Sequence, residues 1–115
     1  MLVPRDYVHI LADFVGVPPA QLGDRALMSG LLIAAASAAG MNVDGIPSVR
    51  DRASGGLSAA LVHDDCHITA HSIPERGLLL VDVLAPRVVD GRRALDVFAR
   101  RLSAREMHSH SHERG

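Results

Sequence analysis

The sequence contains no lysine: all 12 of its basic residues are arginine. This excludes a resting pyridoxal phosphate aldimine, which needs a lysine amine, and a lysine-dependent Walker A phosphate loop. There is no tryptophan, and Tyr7, Phe14 and Phe98 are the whole aromatic set, so base stacking on aromatic rings has little to work with. The single cysteine, Cys66, excludes an intrachain disulfide and a multi-cysteine zinc site, and it fits a reducing, cytoplasmic setting. No apolar run is long enough to span a bilayer; the longest, Leu31 to Met41, is short and rich in Ala and Gly. Asp6 and Asp13 interrupt the apolar residues near the N-terminus, which argues against a signal peptide. Basic and acidic residues nearly balance, 12 against 13, so no basic field for nucleic acid is expected.

What is present suits one small domain spanning residues 1–115, with 48% hydrophobic residues to build its core. Tyr7 to Val15 alternates loosely and is rich in strand formers. Pro18-Pro19 breaks it. A helix capped by Asp24 runs to Ala39 and stops at Gly40, with Leu27, Leu31, Ala34, Ala35 and Ala38 on its apolar face. Met41 to Ile46 reads as a short strand, and Pro47 to Gly56 as a loop. Leu57 to His63, Ile68 to Ser72 and Leu78 to Leu84 read as strands. Between the first two of these, His63 to His67 is too polar for a core strand. Asp90 caps a second helix, Gly91 to Ser103, which buries Ala94, Leu95, Phe98 and Leu102. Glu106 to Glu113 alternates again as a last strand.

The order β-α-β-β-β-β-α-β predicts an α+β two-layer sandwich, an antiparallel-rich sheet with two helices on one face. The repetition of β-α-β hints at pseudo-symmetry. An open sheet in so short a chain invites dimerisation.

The polar middle segment carries the most chemistry. Cys66, His67 and His71 lie within six residues, after Asp64 and Asp65. A nucleophilic thiol with a histidine to move protons is one reading. A buried cysteine acting as a small hydrophobe beside surface histidines is the other.

The run from Ser58 to Glu75 resembles the processing region of the short bacterial and archaeal S-adenosylmethionine decarboxylases. Their Glu-Ser-His-Leu-(Ser/Thr)-Ile-His-Thr-Trp-Pro-Glu motif precedes a Gly and an apolar strand carrying an Asp. His67, Thr69, His71, Pro74, Glu75, Gly77 and Asp82 fall in register with it, and His112-Glu113-Arg114-Gly115 resembles a C-terminal segment of some members. The resemblance implies a proenzyme that cuts its own backbone and leaves a pyruvoyl group, which binds an amine substrate as a Schiff base and serves as the electron sink for decarboxylation. In the family the product feeds aminopropyl groups to polyamines such as spermidine. Such an electrophile needs no lysine.

Carried over residue by residue, Cys66 stands where the family has the Ser that becomes pyruvoyl. Asp65 replaces the family's Glu, so the implied cleavage lies between Asp65 and Cys66. His71 and Ser58 match residues that assist processing, and Glu75 matches a carboxylate of the site. Arg52 falls near the aromatic that stacks on adenine; with His71 and Glu75 it completes the implied substrate-binding set. The implied substrate is S-adenosylmethionine or another amine-bearing amino acid, and the implied assembly is a homodimer with its sites near the interface.

The sequence also departs from the family. The motif Trp is Ile73, and the Cys that protonates the decarboxylated carbon is Pro86, which has no proton to give. Three readings follow: a pyruvoyl-dependent decarboxylase, with a diverged substrate among the possibilities; an inactive paralogue acting as a binding or regulatory partner; or separate metal or thiol chemistry. Elsewhere, His108, His110 and His112 alternate, so a strand would place three imidazoles on one face. That geometry suits a metal, but a solvated edge strand or a frayed terminus is the favoured reading, and no metal site is assigned from it. Asp82, in an apolar strand, and Asp13 each need a partner if buried. Arg50, Asp51 and Arg52 read as a solvated loop or as a clamp on a substrate carboxylate.

Overall fold

A computed structural model describes residues 5–41 and 45–115. Six strands, β1 (Tyr7–Val15), β2 (Ser48–Asp51), β3 (Leu57–His63), β4 (Cys66–Ile73), β5 (Leu78–Pro86) and β6 (Glu106–Arg114), form one sheet. Their order is β2-β3-β4-β5-β1-β6, and every neighbouring pair is antiparallel. Three helices, α1 (Pro19–Leu22), α2 (Arg25–Ala39) and α3 (Gly91–Arg101), complete the chain, with a 3-10 turn at Pro74–Arg76 between β4 and β5. This is the expected α+β two-layer sandwich.

The helix ends follow local chemistry. The Asp24 carboxylate accepts from the Leu27 N–H at 3.0 Å and caps α2, which stops at Gly40 in the left-handed region, φ 87°. Asp90 caps α3, accepting from the Arg92 N–H at 3.2 Å, and Arg100 and Arg101 sit in the last turn, where positive charge suits the helix dipole.

The two faces of the sheet differ sharply. Ile10, Ala12 and Phe14 of β1, Ile68 and Ala70 of β4, and Leu79, Val81 and Val83 of β5 are buried beneath the helices. α2 packs on α3, β2 and β3, and α3 packs on β1 and β5. Phe14 and Phe98 meet at 6.0 Å between ring centroids. Alternate residues point the other way. There, Tyr7, His9, His67, Thr69, Leu80, Asp82 and Leu84 are half-buried, and no helix covers them. Ser72 is the one buried polar residue on the covered side among the described residues. Its hydroxyl accepts from the Leu57 N–H at 2.8 Å and donates to the Leu22 carbonyl at 2.7 Å, so both backbone groups are satisfied.

Three sequence expectations change. The strand expected at Met41 to Ile46 falls partly on residues 42–44, outside the described residues. The strand in this region is β2, inside the stretch expected to be a loop; pairing of its backbone with Leu57 to Ala60 overrides the Pro and Ser punctuation. The run His63 to His67 is a hairpin: His63 pairs with Cys66, Asp64 and Asp65 turn the chain, and Cys66 and His67 belong to β4. Its polarity marks the turn rather than a gap between strands. Finally, α2 buries Met28, Leu31, Leu32, Ala35, Ala36 and Ala39, while Leu27, Ala34 and Ala38 are only partly covered. The buried arc is wider and rotated because this helix contacts both the sheet and α3.

Candidate active site

The Asp65–Cys66 peptide bond leaves a two-residue turn at the tip of the β3–β4 hairpin. Asp64 has φ 54°, the one left-handed non-glycine among the described residues. Asp tolerates that region better than most residues, at a cost of about 1 kcal/mol. The Asp65 carboxylate accepts from the Tyr7 hydroxyl at 2.7 Å, while the Cys66 sulfur lies 3.8 Å from its other oxygen. The hydrogen bond to Asp65 and that residue's negative charge hold the Tyr7 hydroxyl above its ordinary value, so it keeps its proton. Tyr7, Asp65, Leu84, Arg114 and Gly115 line an opening of about 330 Å³ beside the bond.

Cys66 points under the helices and is buried. Burial pushes its thiol up, and the Asp65 carboxylate pushes the same way, so the neutral thiol is favoured. The thiolate that a nucleophilic reading needs is therefore not pre-formed.

The Ser58–His71 pair lies elsewhere. Ser58 and His71 face each other across β3 and β4, with the hydroxyl 2.8 Å from the imidazole Nδ1. Arg50, Ser58, Thr69 and His71 line a shallow depression of about 190 Å³ on the helix-free side. Five positions separate Cys66 from His71 on one strand. An odd spacing puts them on opposite faces, and the strand rise separates them by about 16 Å. One chain thus brings Ser58 to His71 but does not bring either to Cys66.

Arg52 follows β2 and braces the hairpin loop, donating from Nη1 to the Ser72 carbonyl at 2.7 Å and the Gly55 carbonyl at 3.2 Å. The adjacent Gly56, at φ 85°, passes so close to the Ser72 backbone that a Cβ would collide with it. Glu75 is exposed on the 3-10 turn after β4.

A third cluster occupies the middle of the helix-free face. Asp82 on β5 accepts from His9 Nε2 at 2.8 Å and from the Thr69 hydroxyl, and His67 Nε2 stands 3.6 Å away. Burial alone would raise the Asp82 carboxyl; the hydrogen bonds from Thr69 and His9, with the histidine charges, outweigh it, and the net shift is downward. Pro86 ends β5 directly opposite Tyr7. His108, His110 and His112 alternate along the exposed edge strand β6, across from Asp13, Leu11 and His9. Sequence reasoning missed Tyr7, His9 and Arg114. Tyr7 reaches a partner 58 residues away, a distance no local spacing reveals.

These features define a class: a two-layer α+β protein whose antiparallel sheet is covered on one side and carries its polar residues on the other, with a cysteine at the tip of a central hairpin. A family model described as S-adenosylmethionine decarboxylase matches residues 8–115, and the chain belongs to that family. It is similar to the crystal structure of the adenosylmethionine decarboxylase from Aquifex aeolicus VF5, with TM-score 0.86 and 26% identity over 98% of this chain and 93% of that one. No curated protein matches.

Proposed function

We propose that the chain is a self-processing, pyruvoyl-dependent decarboxylase that cuts itself between Asp65 and Cys66. The observation that carries this reading is the position of that bond, at the exit of a strained turn, in a chain that keeps the family's sequence pattern over residues 8–115. The residues fit the group, because it would form from residue 66 itself and needs a side-chain nucleophile one atom from the backbone.

In the cut, the Cys66 sulfur attacks the Asp65 carbonyl carbon and the C–N bond breaks, giving a thioester and a free amine at residue 66. Loss of the Cys66 Cα proton then expels a thiocarboxylate at Asp65, whose hydrolysis releases hydrogen sulfide. The resulting enamine takes up water and releases ammonia, leaving a ketone. Tyr7 holds the Asp65 side chain and so fixes the peptide ahead of the cut. The raised thiol makes the first step slow and base-dependent.

The ketone, when present, supplies the electron sink for loss of carbon dioxide. Pro86 can donate no proton to the product carbon. Tyr7, opposite Pro86 and protonated over a wide pH range, is the hydroxyl placed to do so. Arg52, His71 and Glu75 bind the substrate, S-adenosylmethionine or a related amine-bearing amino acid, and Ser58 with His71 assists processing. The reading includes a homodimer through the helix-free face, which exposes Leu11 and Val62 beside half-buried Leu80 and Leu84.

The test is the intact mass of fresh and aged protein. Fragments 1–65 and 66–115 are expected, the second bearing a ketone in place of its amine. An unchanged full-length mass after prolonged incubation, also in Cys66→Ser, would sink the proposal. One observation favours a second reading, an inactive paralogue that acts as a binding or regulatory partner: Cys66 is buried as a neutral thiol, on the face away from His71.

A further inference from the structure

Asp82 has more imidazole around it than a hydrogen-bond network uses. Its Oδ1 is held by Thr69, which leaves Oδ2 to face both His9 Nε2 at 2.8 Å and His67 Nε2 at 3.6 Å. The first distance is a hydrogen bond and the second is too long for one. Both rings approach the same oxygen, edge to face, with centroids 6.1 Å apart. The three ligand atoms lie within 4.8 Å of one another. Ligand atoms on one zinc ion at about 2.1 Å each stand somewhat closer together, so small side-chain rotations suffice to close the set.

We propose that His9, His67 and Asp82 bind a single divalent transition-metal ion, with zinc or cobalt as the fitting class, through two imidazoles and one carboxylate. Two nitrogens and one oxygen suit borderline ions better than magnesium or calcium, which prefer all-oxygen shells. The ligands stand on β1, β4 and β5, three strands in the middle of the sheet, so the backbone presets their spacing. Thr69 orients the carboxylate as an outer partner. Side-chain exposures of 20–31% leave room for water at the remaining positions. Binding moves the His9 ring proton to Nδ1, where Arg114 now stands at 3.5 Å; this exposed side chain swings aside. The site does not depend on self-cleavage, and it is distinct from the histidines of β6.

The test is a cobalt titration of the full chain, followed by visible absorption, together with a zinc titration followed by the histidine ring nitrogen signals. One equivalent per chain is expected, with the His9 and His67 Nε2 signals moving first. His67→Gln and Asp82→Asn should each weaken binding at least tenfold. The combined His108→Ala, His110→Ala and His112→Ala variant should bind as the parent does. Circular dichroism checks that each variant folds, and the nitrogen signals of the parent decide the question without any variant. No stoichiometric binding, or zinc shifts confined to His108, His110 and His112, would overturn the proposal.

Discussion

One sheet carries two surfaces made under different rules. Beneath the helices, β1, β4 and β5 present Ile10, Phe14, Ile68, Leu79 and Val83, and the buried polar residue there, Ser72, has both of its hydrogen-bonding needs met. On the opposite surface the same strands present His9, His67, Thr69, His71 and Asp82 among leucines. The covered side is where the chain gains its stability. The open side keeps the side chains of His9, His67 and Asp82 at 20–31% exposure, within reach of water. Cys66 is the exception, a chemical residue on the structural side. That placement explains why its thiol is pushed up and why His71 cannot assist it within one chain.

The contrast can be broken by substitution. Phe98→Ala, under the helices, should cost about 3–5 kcal/mol in urea unfolding; a loss below about 1 kcal/mol would mean that side is not sealed. Ser72→Ala strands the Leu57 N–H and the Leu22 carbonyl and should cost about 1–3 kcal/mol. A neutral result there would show water reaching the core. Asp82 tests the open side. A carboxyl lowered in the folded state stabilises it above the ordinary value of 3.8, and that support is lost as pH falls through the lowered folded value. Asp82→Asn should therefore flatten the acid limb of stability against pH, and identical acid limbs would remove Asp82 from that role. The smallest effect belongs to Val62→Thr, at 70% exposure on the open side. A lone chain should change by no more than about 0.5 kcal/mol. A larger loss that grows with protein concentration would mean a second copy covers this residue.

Much of the fold is legible because its signals are local. Asp24 and Gly40 bracket α2, and Asp90 opens α3, since caps act within one turn. The β2 strand is not legible, because Ser48 to Asp51 becomes a strand only through its neighbour β3. The site divides in the same way. Family register pairs Ser58 with His71, and they meet at 2.8 Å. That Cys66 and His71 oppose each other was already present in their odd spacing, once both belong to one strand. The contacts from Tyr7 to Asp65 and from His9 to Asp82 depend on the pairing of β1 with β5 across the whole chain, which no window of sequence contains.

The strand order has a consequence for the history of the molecule. Residues 1–65 supply β1, β2 and β3, and residues 66–115 supply β4, β5 and β6. In the sheet the two sets are interleaved rather than separate, because β1 is clasped between β5 and β6. A nick at the hairpin tip therefore releases nothing; the two pieces remain woven together by three shared strand pairs. Made separately, they would have to braid around each other to regain the same sheet. If the proposed scission occurs at Asp65–Cys66, it leaves this weave intact, and the order that needs no braiding is folding first and cutting second.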